Sequence, residues 1–261
     1  MNTLPELPLH TILQVEVGST SHGTGTPGGE DLDLLVVYIE PIDKVIGVHR
    51  PSKIKMRRTQ PEGTRSGPGD IDRTEYPLRK FLELAQAGNP SIMMALWAPL
   101  HGDATTPAGH DLRDISEAFV GRHIIDRYRG YMRSQVMRIL GLKGNGHGRR
   151  GGGGREELIA EHGFDTKFAM HAARLGFQCA ELLETGKLTF PITAAHGGEW
   201  LRSLRAGKVS FDEWWDVVLM LDAELALLKN RTSIRWDPDF AVINDFSIFA
   251  HLDAWNAQIR P

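Results

Sequence analysis

The stretch VEVGSTSHGTGTPGGEDLDLLVVYIEP, residues 15 to 41, decides how this chain folds. It is typical of an apolar strand that ends at Gly18, a loop of small residues, and a second strand that begins with Asp31 and Asp33. Successive side chains of a strand point to opposite faces, so the two aspartates share one face and Leu32 points to the other. The pattern therefore predicts a pair of carboxylates at the start of a buried strand.

The spacing of these polar groups predicts a particular chemistry. Two carboxylates this close repel each other, and a divalent cation between them is the usual way to keep both ionised. Hard oxygen ligands favour Mg²⁺ or Mn²⁺. Gly18 and Ser19 lie upstream, where backbone N–H groups and a hydroxyl would hold a phosphate that shares the metal. A flexible hairpin loop without a ligand is the alternative interpretation.

The Gly-Ser pair ahead of Asp-x-Asp resembles the signature of the DNA-polymerase-β-like nucleotidyltransferases. The resemblance narrows to the RNA-repair-pathway branch, which is associated with RNA ligases. The sequence departs from the pattern of that branch at His22 and in a glycine-rich insertion at 144–154. Three separated blocks carry it in the right order: GSTSHGTGTPGGEDLDLLVVYIEP at 18–41, DRTEYPLRKFLELAQAGNPSIMMALW at 72–97 and GFDTKFAMHAARLGFQCAELLETGKL at 163–188.

The resemblance implies an α+β protein. Residues 1–107 would form a nucleotidyltransferase palm with a mixed sheet. Residues 108–235 would form an all-helical domain that contains the glycine-rich loop at 144–154. Residues 236–261 are rich in aromatic side chains, and we expect this tail to pack either on the body of the protein or on a partner subunit.

The resemblance also implies an activity: transfer of a nucleoside monophosphate from an NTP such as ATP to a hydroxyl, with release of pyrophosphate. An RNA 3′ end is the first candidate acceptor, and a protein side chain or a small molecule stays open. The alternatives are a nucleotide-binding sensor, a toxin or antitoxin that modifies or binds a protein partner, and a metal-dependent phosphohydrolase. The last would also use clustered carboxylates but would release phosphate.

The resemblance also implies the catalytic residues. Asp31 and Asp33 would bridge two metal ions. The family needs a third carboxylate on a neighbouring strand, and the register of its strand-then-Leu-Arg-Lys-Phe pattern indicates Asp72. Asp72 would accept the proton of the attacking hydroxyl and help to hold the metal. Asp70 and Glu75, on the same strand, stay open for this role.

Two groups of residues are candidates for nucleotide binding. Lys167, His171 and Arg174 recur at i, i+4 and i+7, so they share one face of a predicted helix. The resemblance places this face against the nucleotide, whereas a surface position or a buried histidine is the alternative. The complete set of nucleotide-binding candidates is Gly18, Ser19, Thr20, Lys167, His171 and Arg174.

The composition limits the remaining possibilities. A net charge of −3 argues against a generally basic nucleic-acid coat, although local basic patches are compatible with an RNA partner. Arg57, Arg58 and Arg65 lie in an excursion at 41–69 with a possible short strand, where contact with phosphates is one interpretation and a solvated loop is the favoured one. The single cysteine, Cys179, excludes an intramolecular disulfide and a thiolate zinc site.

We see neither a signal peptide nor eighteen consecutive apolar residues, so we expect a cytoplasmic protein without membrane partners. The oligomeric state stays open.

Overall fold

The protein is described from a computed structural model. The described residues are 4–25, 31–61, 63–64, 66–142, 155–231 and 233–259. The chain divides into two compact units. Unit 1 comprises Met1–Ala87, Ser91–Phe119 and Pro238–Pro261, and unit 2 comprises Gly88–Pro90 and Val120–Asp237.

Unit 1 is built on a mixed sheet, as the sequence predicts. Its strands are β1 (Thr11–Val17), β2 (Leu32–Tyr38), β3 (Lys55–Arg58) and β4 (Ile71–Pro77). They lie in the order β1-β2-β4-β3. β2 runs parallel to β4, and β1 and β3 are antiparallel to their neighbours. The excursion after β2 thus supplies the edge strand β3, in which Arg57 and Arg58 lie.

The strand register brings polar residues into one row. Asp33 pairs with Val17 of β1 and with Asp72 of β4, and Asp72 pairs in turn with Arg58 of β3. Directly paired residues of neighbouring strands project from the same face of a sheet. Asp33, Asp72 and Arg58 therefore share one face. Leu34 belongs to the opposite face, where it pairs with Arg73.

The interior of unit 1 follows from apolar patterning. Residues 34–39, from β2 onward, are all buried, as expected for a strand covered on both faces. The first long helix after β4 buries an apolar stripe with i, i+3, i+4 and i+7 spacing, namely Leu78, Phe81, Leu82 and Ala85. The helices up to residue 119 are α1 (Gly18–His22), α2 (Ile42–Val45), α3 (Leu78–Gln86), α4 (Pro90–Met93) and α5 (Pro107–Asp114), with 3₁₀ turns at Met94–Leu96 and Ser116–Phe119.

Unit 2 is helical. Its helices are α6 (His123–Ile139), α7 (Glu156–His162), α8 (Thr166–Thr185), α9 (Gly198–Arg205) and α10 (Phe211–Arg231), with a 3₁₀ turn at Ala194–His196. The central helix α8 packs against both α6 and α10. Asp165 caps α8 by accepting from the N–H groups of Lys167 and Phe168, as Asp in this position is predicted to do.

The C-terminal helix α11 (Phe240–Ile259) belongs to unit 1. The indole Nε1 of Trp255 donates a hydrogen bond to the backbone oxygen of Glu40 at 2.9 Å. His251 lies 3.3 Å from the Glu40 carboxylate through Nε2, and its Nδ1 donates to the Ser247 carbonyl at 2.7 Å. The aromatic tail thus packs on unit 1.

A glycine sets how closely α8 and α10 approach. A Cβ on Gly176 would lie 2.8 Å from Cδ1 of Leu221, closer than two carbon atoms pack. The indole of Trp214 on α10 is fully buried and donates to the backbone oxygen of Ala169 on α8 at 3.0 Å. The core between these helices therefore depends on a small residue opposite large ones.

The structure refines several expectations. The Gly18-Ser19 turn is the start of the one-turn helix α1. Residues 108–119, placed with the helical domain from the sequence, cluster with the sheet in unit 1. The glycine-rich insertion at 144–154 lies outside the described residues. Arg155, just after it, is described. In the part of the chain that the structure describes, no helix combines the length and the hydropathy needed to cross a membrane.

An ion-pair network joins α6 to α10. The guanidinium of Arg129 donates to both oxygens of Asp222, each at 2.8 Å, and Arg133 donates to Oδ2 at 3.0 Å. The hydrogen bond from Arg129 is the main reason that the pKa of Asp222 falls from 3.8 to about 2. A two-pronged guanidinium–carboxylate contact of this kind is stronger than a single surface pair.

We predict that Asp222→Asn lowers the free energy of unfolding by about 1–2 kcal/mol at neutral pH. Because the folded-state pKa is depressed, the stabilisation is present above the ordinary pKa of 3.8 and is lost as pH falls through about 2. Urea unfolding at several pH values measures it, with the exposed Asp216→Asn on the same helix as control. An unchanged difference between wild type and variant down to pH 2 would contradict the assignment.

Candidate active site

Three carboxylates converge at one end of the sheet. Asp31, Asp33 and Asp72 each place one carboxylate oxygen so that all three atoms lie within 4.8 Å of one another. Asp33 and Asp72 are paired across the parallel strands β2 and β4. Asp31 stands two residues before Asp33, so both project to the same side. All three are partly exposed to solvent, so a ligand can reach them.

This donor set fits a divalent cation. Three carboxylates at such distances repel one another, and a hard cation with oxygen ligands relieves that repulsion. Partial exposure leaves room for the water molecules that Mg²⁺ retains. Arg58 lies beside the cluster, with Nη2 3.4 Å from Oδ2 of Asp72. The cluster is therefore rich in negative charge but has a neighbouring cation.

Gly18 allows the start of α1 to lie against the cluster. Its φ is +79°, and a Cβ built on it would fall 2.1 Å from Oδ2 of Asp33. No side chain fits in that space, and the left-handed conformation also favours glycine. Ser19 and Thr20 follow in the first turn of α1, and Ser21 closes the turn by donating to the Gly18 carbonyl at 3.0 Å.

Asp70, just before β4, and Glu75, within it, have hydrogen-bond partners other than the clustered aspartates. Asp70 accepts hydrogen bonds from the Thr59 hydroxyl and from the Gly67 N–H, each at 3.0 Å. Glu75 is buried, and Arg73 donates to it at 2.8 Å. Within the described residues, Asp72 is therefore the carboxylate of this strand that joins Asp31 and Asp33.

Sequence reasoning missed two of the three residues that surround Asp72, namely Gln60 and Ser66. The side-chain amide of Gln60 donates to Oδ1 at 2.8 Å, and the Ser66 hydroxyl donates to Oδ2 at 2.8 Å. Arg58, for which the sequence leaves open a phosphate contact or a solvated loop, is the third neighbour. The signal that the sequence does offer is a possible short strand in residues 41–69, and it does not give the register that pairs Arg58 with Asp72.

The predicted nucleotide-binding residues of unit 2 lie together on α8. Arg174 donates to Nδ1 of His171 at 3.2 Å and to the Gln178 side-chain oxygen at 3.3 Å. Burial, followed by the charges of Arg174 and Lys167, holds the pKa of His171 well below its usual value. Burial also lowers the pKa of Arg174 to about 10. These residues concentrate positive potential, with further contributions at His171 from Arg155 and Arg205.

A cavity of about 810 Å³ lies in unit 1 beyond the carboxyl end of β2. Glu40, Arg79 and Phe240 are among its lining residues, and none of the three clustered aspartates is. We therefore place the candidate site by the chemistry of its side chains rather than by cavity volume.

We predict that Gly18→Ala weakens Mn²⁺ binding at least tenfold, because the new methyl group displaces the Asp33 carboxylate. Electron paramagnetic resonance titration measures free Mn²⁺. Gly102→Ala is the matched control, since Gly102 also has a positive φ, of +61°, but no atom lies within 4 Å of the place that its Cβ would take. Both variants carry backbone strain of about 1–2 kcal/mol. Equal Mn²⁺ affinities in the two would contradict the steric argument.

The comparisons with known proteins agree with the geometry. No curated protein matches the chain significantly. The family model described as "RNA repair pathway DNA polymerase beta family" matches residues 4–203. This span contains the sheet, the three aspartates and α8, and it confirms the resemblance found in the sequence. The chain belongs to the RNA repair pathway DNA polymerase beta family.

Proposed function

We propose that the protein is a metal-dependent nucleotidyltransferase that moves a nucleoside monophosphate from an NTP to a hydroxyl group. The family assignment points to nucleotidyl transfer. The observation that carries the proposal is the convergence of Asp31, Asp33 and Asp72 in a member of this family. Clustered carboxylates that can hold Mg²⁺ or Mn²⁺ are what phosphoryl and nucleotidyl transfer require.

The proposed reaction replaces one oxygen by another on the α-phosphorus of the NTP. The acceptor oxygen forms a bond to the α-phosphorus while the bond from that phosphorus to the β-phosphate oxygen breaks, and pyrophosphate leaves. The proton of the acceptor hydroxyl passes to a carboxylate oxygen of Asp72, which acts as general base. Asp31, Asp33 and Asp72 would hold the cation. When bound, Mg²⁺ or Mn²⁺ neutralises charge on the attacking and leaving oxygens.

Each unit, taken by itself, offers groups suited to the oxygens of a triphosphate. In unit 1, Gly18, Ser19 and Thr20 offer backbone N–H groups and hydroxyls in the first turn of α1. In unit 2, Lys167 and Arg174 offer positive charge from α8. His171, whose pKa is held low by burial and by nearby cations, offers a neutral imidazole.

An RNA 3′ end is the acceptor that we propose. The description of the family names an RNA repair pathway, and an RNA 3′ end carries a hydroxyl, which is the group that the reaction needs. The net charge of −3 means that RNA would be held by local cationic groups rather than by a generally basic surface.

We predict that Asp31→Asn or Asp33→Asn lowers the transfer rate by at least about a thousandfold while the fold is retained. The assay incubates the protein with each α-³²P-labelled NTP, Mg²⁺ or Mn²⁺, and a short RNA with a free 3′ hydroxyl. Circular dichroism checks folding, and Asp43→Asn in α2, which is exposed, is the matched control.

The other results of this assay have definite meanings. Full activity in either aspartate variant would overturn the proposal. Release of phosphate rather than pyrophosphate would indicate a phosphohydrolase. Label on the protein itself would indicate protein nucleotidylation, and tight NTP binding without transfer to any acceptor would indicate a nucleotide sensor.

We predict that Lys167→Met raises KM for the NTP about tenfold with a smaller change in kcat, because a phosphate contact is lost in the ground state and in the transition state alike. Steady-state kinetics at saturating Mg²⁺ measure both constants. Lys208→Met, an exposed lysine of the same unit, is the control. Equal KM values for the two variants would remove Lys167 from the nucleotide site.

A further inference from the structure

Two described residues between β3 and β4 lie against Asp72. Gln60 and Ser66, within the segment that joins these strands, each donate a hydrogen bond of 2.8 Å to the carboxylate. Gln60 also donates to the Ser66 hydroxyl. An amide nitrogen carries two hydrogens and a hydroxyl can donate and accept at once, so all three bonds form together. We call Gln60 and Ser66 the Asp72 clamp.

The clamp orients the carboxylate without saturating it. Gln60 binds Oδ1 and Ser66 binds Oδ2. Each carboxylate oxygen has two lone pairs, so Oδ1 can accept from Gln60 and still offer electrons to another ligand, whereas Oδ2 also has Nη2 of Arg58 at 3.4 Å. Gln60 is only 8% exposed, so its side chain has little freedom to rotate. Two fixed donors on different oxygens define the plane of the carboxyl group.

Asp70 holds the segment in place. It accepts from the Thr59 hydroxyl through Oδ1 and from the Gly67 N–H through Oδ2, each at 3.0 Å. The Thr59 hydroxyl oxygen in turn accepts from the Ile71 N–H at 2.9 Å. These bonds fasten the residue next to Gln60 and the residue next to Ser66. Asp70 and Asp72 thus have different roles, since Asp70 folds the segment and Asp72 receives its donors.

We infer that Gln60 and Ser66 are positioning residues for the metal site. They act through Asp72, fixing its carboxylate at the orientation in which it joins Asp31 and Asp33 around one divalent cation. The inference rests on the proposed function, because it takes these three aspartates as the metal ligands. Donors that orient a ligating carboxylate typically change metal affinity by about 10- to 100-fold when they are removed.

Mn²⁺ binding to the full chain without nucleotide tests the inference. Ser66→Ala and Gln60→Leu each remove one donor, and we expect Mn²⁺ binding, titrated by electron paramagnetic resonance, to weaken about 10- to 100-fold. Ser66→Thr retains the hydroxyl and should recover most of the affinity. Thr64→Val removes a hydrogen bond within the same segment, from Thr64 to the Pro61 carbonyl, without touching Asp72, and should bind Mn²⁺ as wild type does.

A merely structural role gives a different pattern. If the clamp only stabilised the segment, Thr64→Val and Ser66→Ala would lower Mn²⁺ affinity equally, or none of the variants would lower it. Either result overturns the inference. A second readout is the metal dependence of transfer: the clamp variants should need more Mn²⁺ for half-maximal rate and approach the wild-type rate at saturation.

Failure of the proposed function has its own signature. Wild-type protein that binds Mn²⁺, loses it in Asp33→Asn, but transfers no nucleotide would overturn the proposed function, and the clamp variants would still be tested by their Mn²⁺ affinity. Wild-type Mn²⁺ affinity in both Ser66→Ala and Gln60→Leu, with transfer intact, would overturn the clamp alone. Absence of Mn²⁺ binding in wild type would overturn both.

Discussion

The repulsion between three carboxylates is the constraint on which the arrangement of unit 1 depends. Asp33 and Asp72 face each other because β2 and β4 run parallel in a fixed register, and Asp31 is carried to the same side by the two-residue period of a strand. Like charges this close oppose folding unless something compensates them. The compensation comes from apolar burial of residues 34–39. A slip of one residue would turn Asp33 to the opposite face of the sheet and away from Asp72.

The surroundings of the cluster reflect the same constraint. Gly18 leaves the space that the Asp33 carboxylate occupies. Around Asp72, the protein supplies polar and charged partners, namely Gln60, Ser66 and the guanidinium of Arg58. Hydrogen bonds to an ionised acceptor are stronger than those between neutral groups. The negative charge of Asp72 is thus held in place by groups that favour it.

Sequence patterns predicted the parts of the molecule that depend on local periodicity. Asp31 and Asp33 follow from a two-residue period, and the shared helical face of Lys167, His171 and Arg174 on α8 follows from their i, i+4, i+7 spacing. The partners of Asp72 could not be found in this way, because residues 59–70 separate β3 from β4 and the length of a connection does not determine the register. Packing of α11 through Glu40, His251 and Trp255 is equally non-local. Buried polar contacts between residues 211 positions apart leave no periodic signal in the sequence.

The chain has a small net charge, although unit 1 carries a cluster of negative side chains and unit 2 carries a cluster of positive ones. Unit 1 carries three aspartates with carboxylate oxygens within 4.8 Å of one another. Unit 2 carries Lys167, His171 and Arg174 on one helix, and His171 responds to four cationic side chains there. For this reason the overall charge of −3 says little about what the protein binds. The placement of charge within each unit is the informative quantity.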